Sequence, residues 1–140
     1  MSKNLELILS ISSLHSQIFK RIEGSLSLHG ISFSEFIVMR QLSLVPNRTM
    51  RRIDLAEKVN MSASGVTRLL NPMEKLKIVQ KEQSLRDARV SFVKLSDAGS
   101  ELLNDAIKTM EQVSNDIAES LSSSEIELFL NILQKINKRT

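Results

Sequence analysis

Residues 53–79 read IDLAEKVNMSASGVTRLLNPMEKLKIV, and the fold of the whole chain turns on how this stretch is organised. Its first part spaces Ile53, Leu55, Ala56 and Val59 as the buried side of a short helix. The tripeptide NMS then interrupts it. Asn60 tolerates a left-handed backbone at low cost, and Ser62 is a good helix N-cap. Over residues 63–76 the spacing predicts a second helix, with Val66, Leu69, Leu70, Met73 and Leu76 along one buried stripe. Ser64, Thr67, Arg68 and Asn71 fall at i, i+3, i+4 and i+7 on the opposite, polar face. Pro72 removes one backbone donor and predicts a kink late in this helix. Two short helices joined by a tight turn, the second with a polar outer face, form a helix-turn-helix.

The next segment adds a wing. IVQKEQ and VSFVKLS are rich in Val, Ile and Phe and read as two strands, with SLRDAR between them. Asp87 and Arg89, two apart in extended chain, point the same way and can pair, holding the guanidinium flat. Arg86 is left as the uncompensated cation. The major groove of DNA admits a helix, where Arg68 can donate two bonds to guanine and Asn71 can bond adenine. An arginine on a hairpin tip suits the narrow minor groove. Ser62, Ser64, Thr67, Arg68, Asn71, Arg86, Asp87 and Arg89 are therefore the candidate DNA-binding residues. The competing readings are a solvated helix face and an ordinary charged turn.

Outward from this centre the chain is helical. Leu7, Ile11, Leu14, Ile18 and Ile22 give helical period over residues 5–28, ending at Gly30 as a C-terminal cap. SFSE, residues 32–35, has capping-box spacing and opens a helix that Pro46 closes. Ser96 and Asp97 start a long helix reaching about residue 120. A final helix, capped by Ser122 or Ser123, carries Ile126, Phe129, Leu130, Leu133 and Ile136 on one side. The apolar stripes of the terminal helices are too broad for so small a domain to bury alone, which predicts a homodimer clasped by them. A dimer also places two reading helices in successive major grooves, about 34 Å apart.

Composition bounds the function. A chain of 140 residues, 41% hydrophobic and 25% charged, fits one soluble domain. With no apolar run of membrane-spanning length and no cleavable leader, a cytoplasmic protein without membrane attachment is expected. The absence of cysteine excludes disulfides, thiolate metal sites and thiol switches. Between Arg48 and Lys94 stand 11 basic and 5 acidic residues, net +6, in a chain whose net charge is +3. The remainder therefore carries a net charge of −3, and the central block suggests a surface for a polyanion. His15 and His29 lack metal-ligand spacing, and His29 beside Gly30 is expected to cap a helix end. No nucleophile–base set and no phosphate loop stands out, so no catalytic residues, metal or cofactor are expected and the chain does not read as an enzyme.

The sequence resembles the MarR (multiple antibiotic resistance regulator) transcription factors over most of its length. GISFSEFIVMRQL is similar to the family's second helix, residues 53–79 to its helix-turn-helix, and DARVSFVKLSDAG to its wing and next helix start. The family pattern there is Asp-x-Arg, five residues, then Leu-Thr-x-x-Gly. Asp87, Arg89, Leu95 and Gly99 match in register, with Ser96 in place of threonine. Lys77 replaces the usual glycine after the recognition helix, and Leu85 is apolar near the wing tip. The resemblance implies a mainly α fold with a small antiparallel β-hairpin. It divides the single domain 1–140 into dimerisation helices at 1–30 and 97–140 around a winged helix-turn-helix at 31–96. It further implies a homodimeric DNA-binding transcription regulator, most often a repressor, acting on near-palindromic double-stranded operators. A small aromatic or phenolic effector between the dimer helices and the DNA-binding region is also implied; His15, on an apolar helix face, reads first as a packed or interfacial residue and second as a group of that pocket. A helical module for an acidic protein partner is the rival from another class.

Overall fold

The computed structural model describes residues 1–138; Arg139 and Thr140, the end of the expected C-terminal dimerisation segment, lie outside the described residues. The order is α1 (Lys3–Leu26), α2 (Phe33–Ser43), β1 (Thr49–Arg51), α3 (Arg52–Lys58), α4 (Ala63–Lys75), β2 (Val79–Gln83), β3 (Ser91–Leu95), α5 (Asp97–Ile117) and α6 (Ser123–Asn137). The fold is mainly helical with a small antiparallel sheet.

Local chemistry sets most of the boundaries. Ser32 and Glu35 form a reciprocal capping box on α2, and Ser122 and Glu125 form another on α6. Ser62 Oγ accepts from Gly65 N–H at 3.0 Å and starts α4. Helices α3 and α4 end alike. Met61 N–H donates to Ala56 C=O at 2.9 Å, and Ile78 N–H to Met73 C=O at 2.9 Å. The residues before the two donors, Asn60 and Lys77, take positive φ values of 55° and 61°. Each is thus a Schellman motif with a non-glycine residue in the left-handed position. Gly30, at φ 72°, ends the short 3-10 turn Ser27–His29 that follows α1.

The sheet has three strands in the order β1-β3-β2, all antiparallel. The hairpin register pairs Val79 with Leu95 and Gln83 with Ser91. The sequence carries no alternation long enough to reveal β1, whose three residues pair with Phe92, Val93 and Lys94. The core gathers Leu26, Phe36, Met39 and Leu42 with Leu55, Val66, Leu70 and Met73, then closes on Val79, Val93, Leu95, Leu103 and Ala106.

Several expectations need correction. Ile53 is 67% exposed and Leu76 64% exposed, although periodicity puts both inward. Helix α3 has seven residues, and its inner side is filled by Leu55 and Ala56. Leu76 sits where the chain leaves α4 through the left-handed Lys77, which turns it off the buried stripe. His29 does not cap α1; its Nε2 lies 2.6 Å from Thr109 Oγ1 and ties that corner to α5. The long helix ends at Ile117, three residues before its expected limit.

The root of the wing is tightly built. Ser96 Oγ caps α5 by accepting from Gly99 N–H at 2.9 Å, and its own hydroxyl lies 2.6 and 2.9 Å from the carbonyls of Lys77 and Ile78. Gly99 packs so closely on that turn that a Cβ would meet Ile78 O at 2.2 Å and Leu95 Cδ1 at 2.7 Å. The glycine of the Leu-Ser-x-x-Gly stretch is therefore a close-approach residue.

The terminal helices are different. Leu26 is the one buried residue of α1, and α6 has none among its described side chains. Leu5, Leu7, Ile8, Leu14 and Phe19 on α1 lie exposed in the single chain, as do Phe129, Leu130 and Ile132 on α6. Their apolar sides face outward, uncovered by the described residues of their own chain.

Candidate nucleic-acid interface

Helix α4 presents Ser64, Arg68 and Asn71 exposed on one side, with Val66, Leu70 and Met73 holding the opposite side in the core. Arg68 forms no ion pair among the described residues, so its guanidinium is free to reach outward. Thr67 is half-buried, and its hydroxyl donates back to Ala63 C=O at 3.0 Å. Ser62 Oγ is committed to the cap, with Ser64 Oγ 3.2 Å away. Of these two serines, Ser64 is thus the more available to an outside partner.

The wing turn is held from within. Ser84 Oγ accepts from the N–H groups of Arg86 and Asp87 at 3.2 and 3.3 Å. Asp87 Oδ1 accepts from Arg89 N–H at 3.0 Å, and the Asp87 carboxylate takes both Nε and Nη2 of Arg89, at 3.1 and 3.2 Å. This fork-to-carboxylate pair fixes the Arg89 side chain and holds the Asp87 carboxyl below its ordinary value, chiefly through the Arg89 side chain. Arg86 has no such partner among the described residues and, like Leu85, stands exposed at the tip.

A third element joins these two. Arg51 and Arg52 stand where β1 runs into α3, a helix start where the backbone dipole disfavours cations. Arg51 is answered by Asp54, at 2.9 and 3.1 Å, which lowers the Asp54 carboxyl. Between α3, α4 and the returning wing strand lies a cleft of about 420 Å³ whose lining includes Arg51, Arg52, Thr67, Arg89 and Ser91. Sequence patterns single out Thr67 and Arg89 but not Arg52, because β1, which brings it beside the wing, carries no signal. Of the candidates, Thr67 and Arg89 thus share one cleft, Ser64, Arg68 and Asn71 share one helix face, and Arg86 stands apart at the tip. Among the described residues no group of three or more His, Asp or Glu side chains could hold a metal ion, and no helix is long and apolar enough to cross a membrane.

Helix-turn-helix, three-stranded wing and outward terminal helices together define a winged-helix protein of the MarR type. Residues 17–106 match the family described as transcriptional regulator SarA/Rot, and the chain belongs to that family of MarR-type transcriptional regulators. Among curated relatives, the regulator MhqR of Bacillus subtilis is 22% identical over 134 residues, covering 96% of this chain and 91% of its own. The transcriptional repressor MprA of Escherichia coli is 21% identical over 136 residues, covering 96% and 77%. The fold matches Sco3205 of Streptomyces coelicolor, solved in complex with DNA, with a TM-score of 0.88 at 18% identity, covering 99% and 88%. It also matches a mutant MarR of E. coli complexed with operator DNA, with a TM-score of 0.86 at 16% identity, covering 96% and 95%.

Proposed function

We propose that the protein is a cytoplasmic, homodimeric, sequence-specific DNA-binding repressor without catalytic activity. Helix α4 enters the major groove, where Arg68 and Asn71 read base edges and Ser64 allows close approach. The wing lies over the minor groove, with Arg86 as the probe and Arg89, steadied by Asp87, beside it. Residues 31–96 form the DNA-binding region, and the segments at 1–30 and 97–140 clasp the partner. Two copies of α4 about 34 Å apart suit a near-palindromic operator.

The observation that carries this reading is the pairing of two unneutralised arginines, Arg68 on α4 and Arg86 on the wing, on elements rooted in one core. The outward apolar sides of α1 and α6 support the dimer. A small aromatic or phenolic effector has matching surface in the rings of His15, Phe19 and Phe33, with successive centroids 5.9 and 6.0 Å apart.

The test is a low-salt titration of a duplex selected from a random pool. Arg68→Ala and Arg86→Ala are each expected to weaken binding about tenfold, the value of a charged hydrogen bond, while sedimentation still reports a dimer. Wild-type affinity in both variants, or a monomer at micromolar concentration, would overturn the proposal.

A further inference from the structure

The cleft between α3, α4 and the wing contains a charge that the described chain leaves unanswered. Three arginines line it, and no carboxylate does. Two of the three are already matched, Arg51 by Asp54 and Arg89 by Asp87. Arg52 has no acidic partner among the described residues, and its Nη2 is buried without any hydrogen-bond acceptor. A desolvated guanidinium N–H with no acceptor is costly, and an oxyanion that draws the Arg52 fork into the cleft would remove that cost. Ser91, half-buried on the wing strand, adds a hydroxyl with no partner of its own among the described residues. Thr67 offers only its oxygen, since its proton is given to Ala63.

We infer that this cleft seats a single phosphate group, with the Arg52 fork as principal donor and Ser91 as second. The planar guanidinium matches two phosphate oxygens at once. The walls are the recognition helix, the start of α3 and the wing strand, and one bound phosphate ties the start of α3 to the wing strand beside α4. Arg52 is a positioning residue in this arrangement, setting the wing against the start of α3 rather than reading a base. The inference rests on the DNA-binding reading above as regards its source, a backbone phosphate of duplex DNA. The same chemistry would also accept free phosphate.

Arg52→Ala and Arg52→Lys decide it, titrated against the selected duplex and a scrambled one over a range of salt. Arg52→Ala is expected to weaken both complexes about tenfold and to lower the slope of log K against log salt by about one. Arg52→Lys retains the charge and the slope but loses several-fold in affinity with the fork. Arg52→Met should raise the melting temperature of the free protein, the opposite of what a structural arginine would give. Wild-type affinity and slope in Arg52→Ala, or a loss confined to the selected duplex, would overturn the phosphate seat while leaving DNA binding intact. If the wild type bound no duplex at all, the DNA-binding proposal would fall and inorganic phosphate would decide the seat. A melting shift at constant ionic strength, abolished in Arg52→Ala, keeps it; no shift removes it.

Discussion

Gly99→Ala tests the physical account of the wing root most severely. The added methyl would lie 2.2 Å from the Ile78 carbonyl oxygen, where ordinary contact begins at 3.4 Å. The start of α5 would have to retreat by the difference, 1.2 Å, or the β2 strand would have to move. Neither is free, because Val79 and Leu95, on either side of the contact, are buried in the core. Overpacking of this kind costs about 1–3 kcal/mol. The retreat also stretches the Ser96 contacts to Lys77 and Ile78, with about 1 kcal/mol at stake. Against this, alanine gains about 0.5–1 kcal/mol over glycine in a helix. The net is a loss of about 1–3.5 kcal/mol, or about 3–10 °C in melting temperature at this chain length. Calorimetry at matched protein concentration reads it directly, since an oligomer's melting point depends on concentration. Gly24 is the control: it is also helical, but an added Cβ meets nothing within 4 Å. Gly24→Ala should raise the melting temperature slightly. An unchanged or higher melting temperature in Gly99→Ala would refute the close-approach account.

Other outcomes rest on single features. Lys77→Gly relieves a φ of 61° at an exposed position and should stabilise by about 0.5–1 kcal/mol in denaturant unfolding. Ser96→Ala removes the α5 cap and leaves Gly99 N–H unmet, costing about 1–2 kcal/mol by the same measurement. Phe129→Asp on the exposed side of α6 should yield monomers in sedimentation, with far-UV dichroism nearly unchanged. Asp54, Asp87 and Asp97 are all lowered from 3.8, each first by a side-chain bond to arginine, Arg51, Arg89 and Arg48 respectively. Their contribution is therefore complete above pH 3.8 and is lost as pH falls through the depressed values below it. Melting temperature followed from pH 8 downward should show their loss only under pH 3.8; a loss tied to these pairs at pH 6 would contradict the assignment.

Features with local causes were legible in the sequence. The Ser32–Glu35 box, the Ser62 cap and the left-handed Asn60 need only their neighbours, so residue type and spacing sufficed. The Asp87–Arg89 pair was equally local, two residues apart in extended chain. The features that escaped are non-local. Strand β1 exists because Met50 pairs with Val93, a partner 43 residues away, and no three-residue stretch announces that. Arg52 was lost with it. His29 meets Thr109 across 80 residues. Ile53 and Leu76 misled because periodicity assumes a helix long enough for every apolar position to find the core, and each stands at a helix edge.

The seat of Ser96 and Gly99 on the α4–β2 turn pins the first turn of α5, a helix also packed further along through Leu103, Ala106 and Val113. Its 21 residues span roughly 31 Å. A tilt of about five degrees at the pinned end sweeps the far end through roughly 3 Å at that rise per residue. A rearrangement of the end helices that tilted α5 would therefore be felt at the base of the hairpin, as a change in the aim of its arginines.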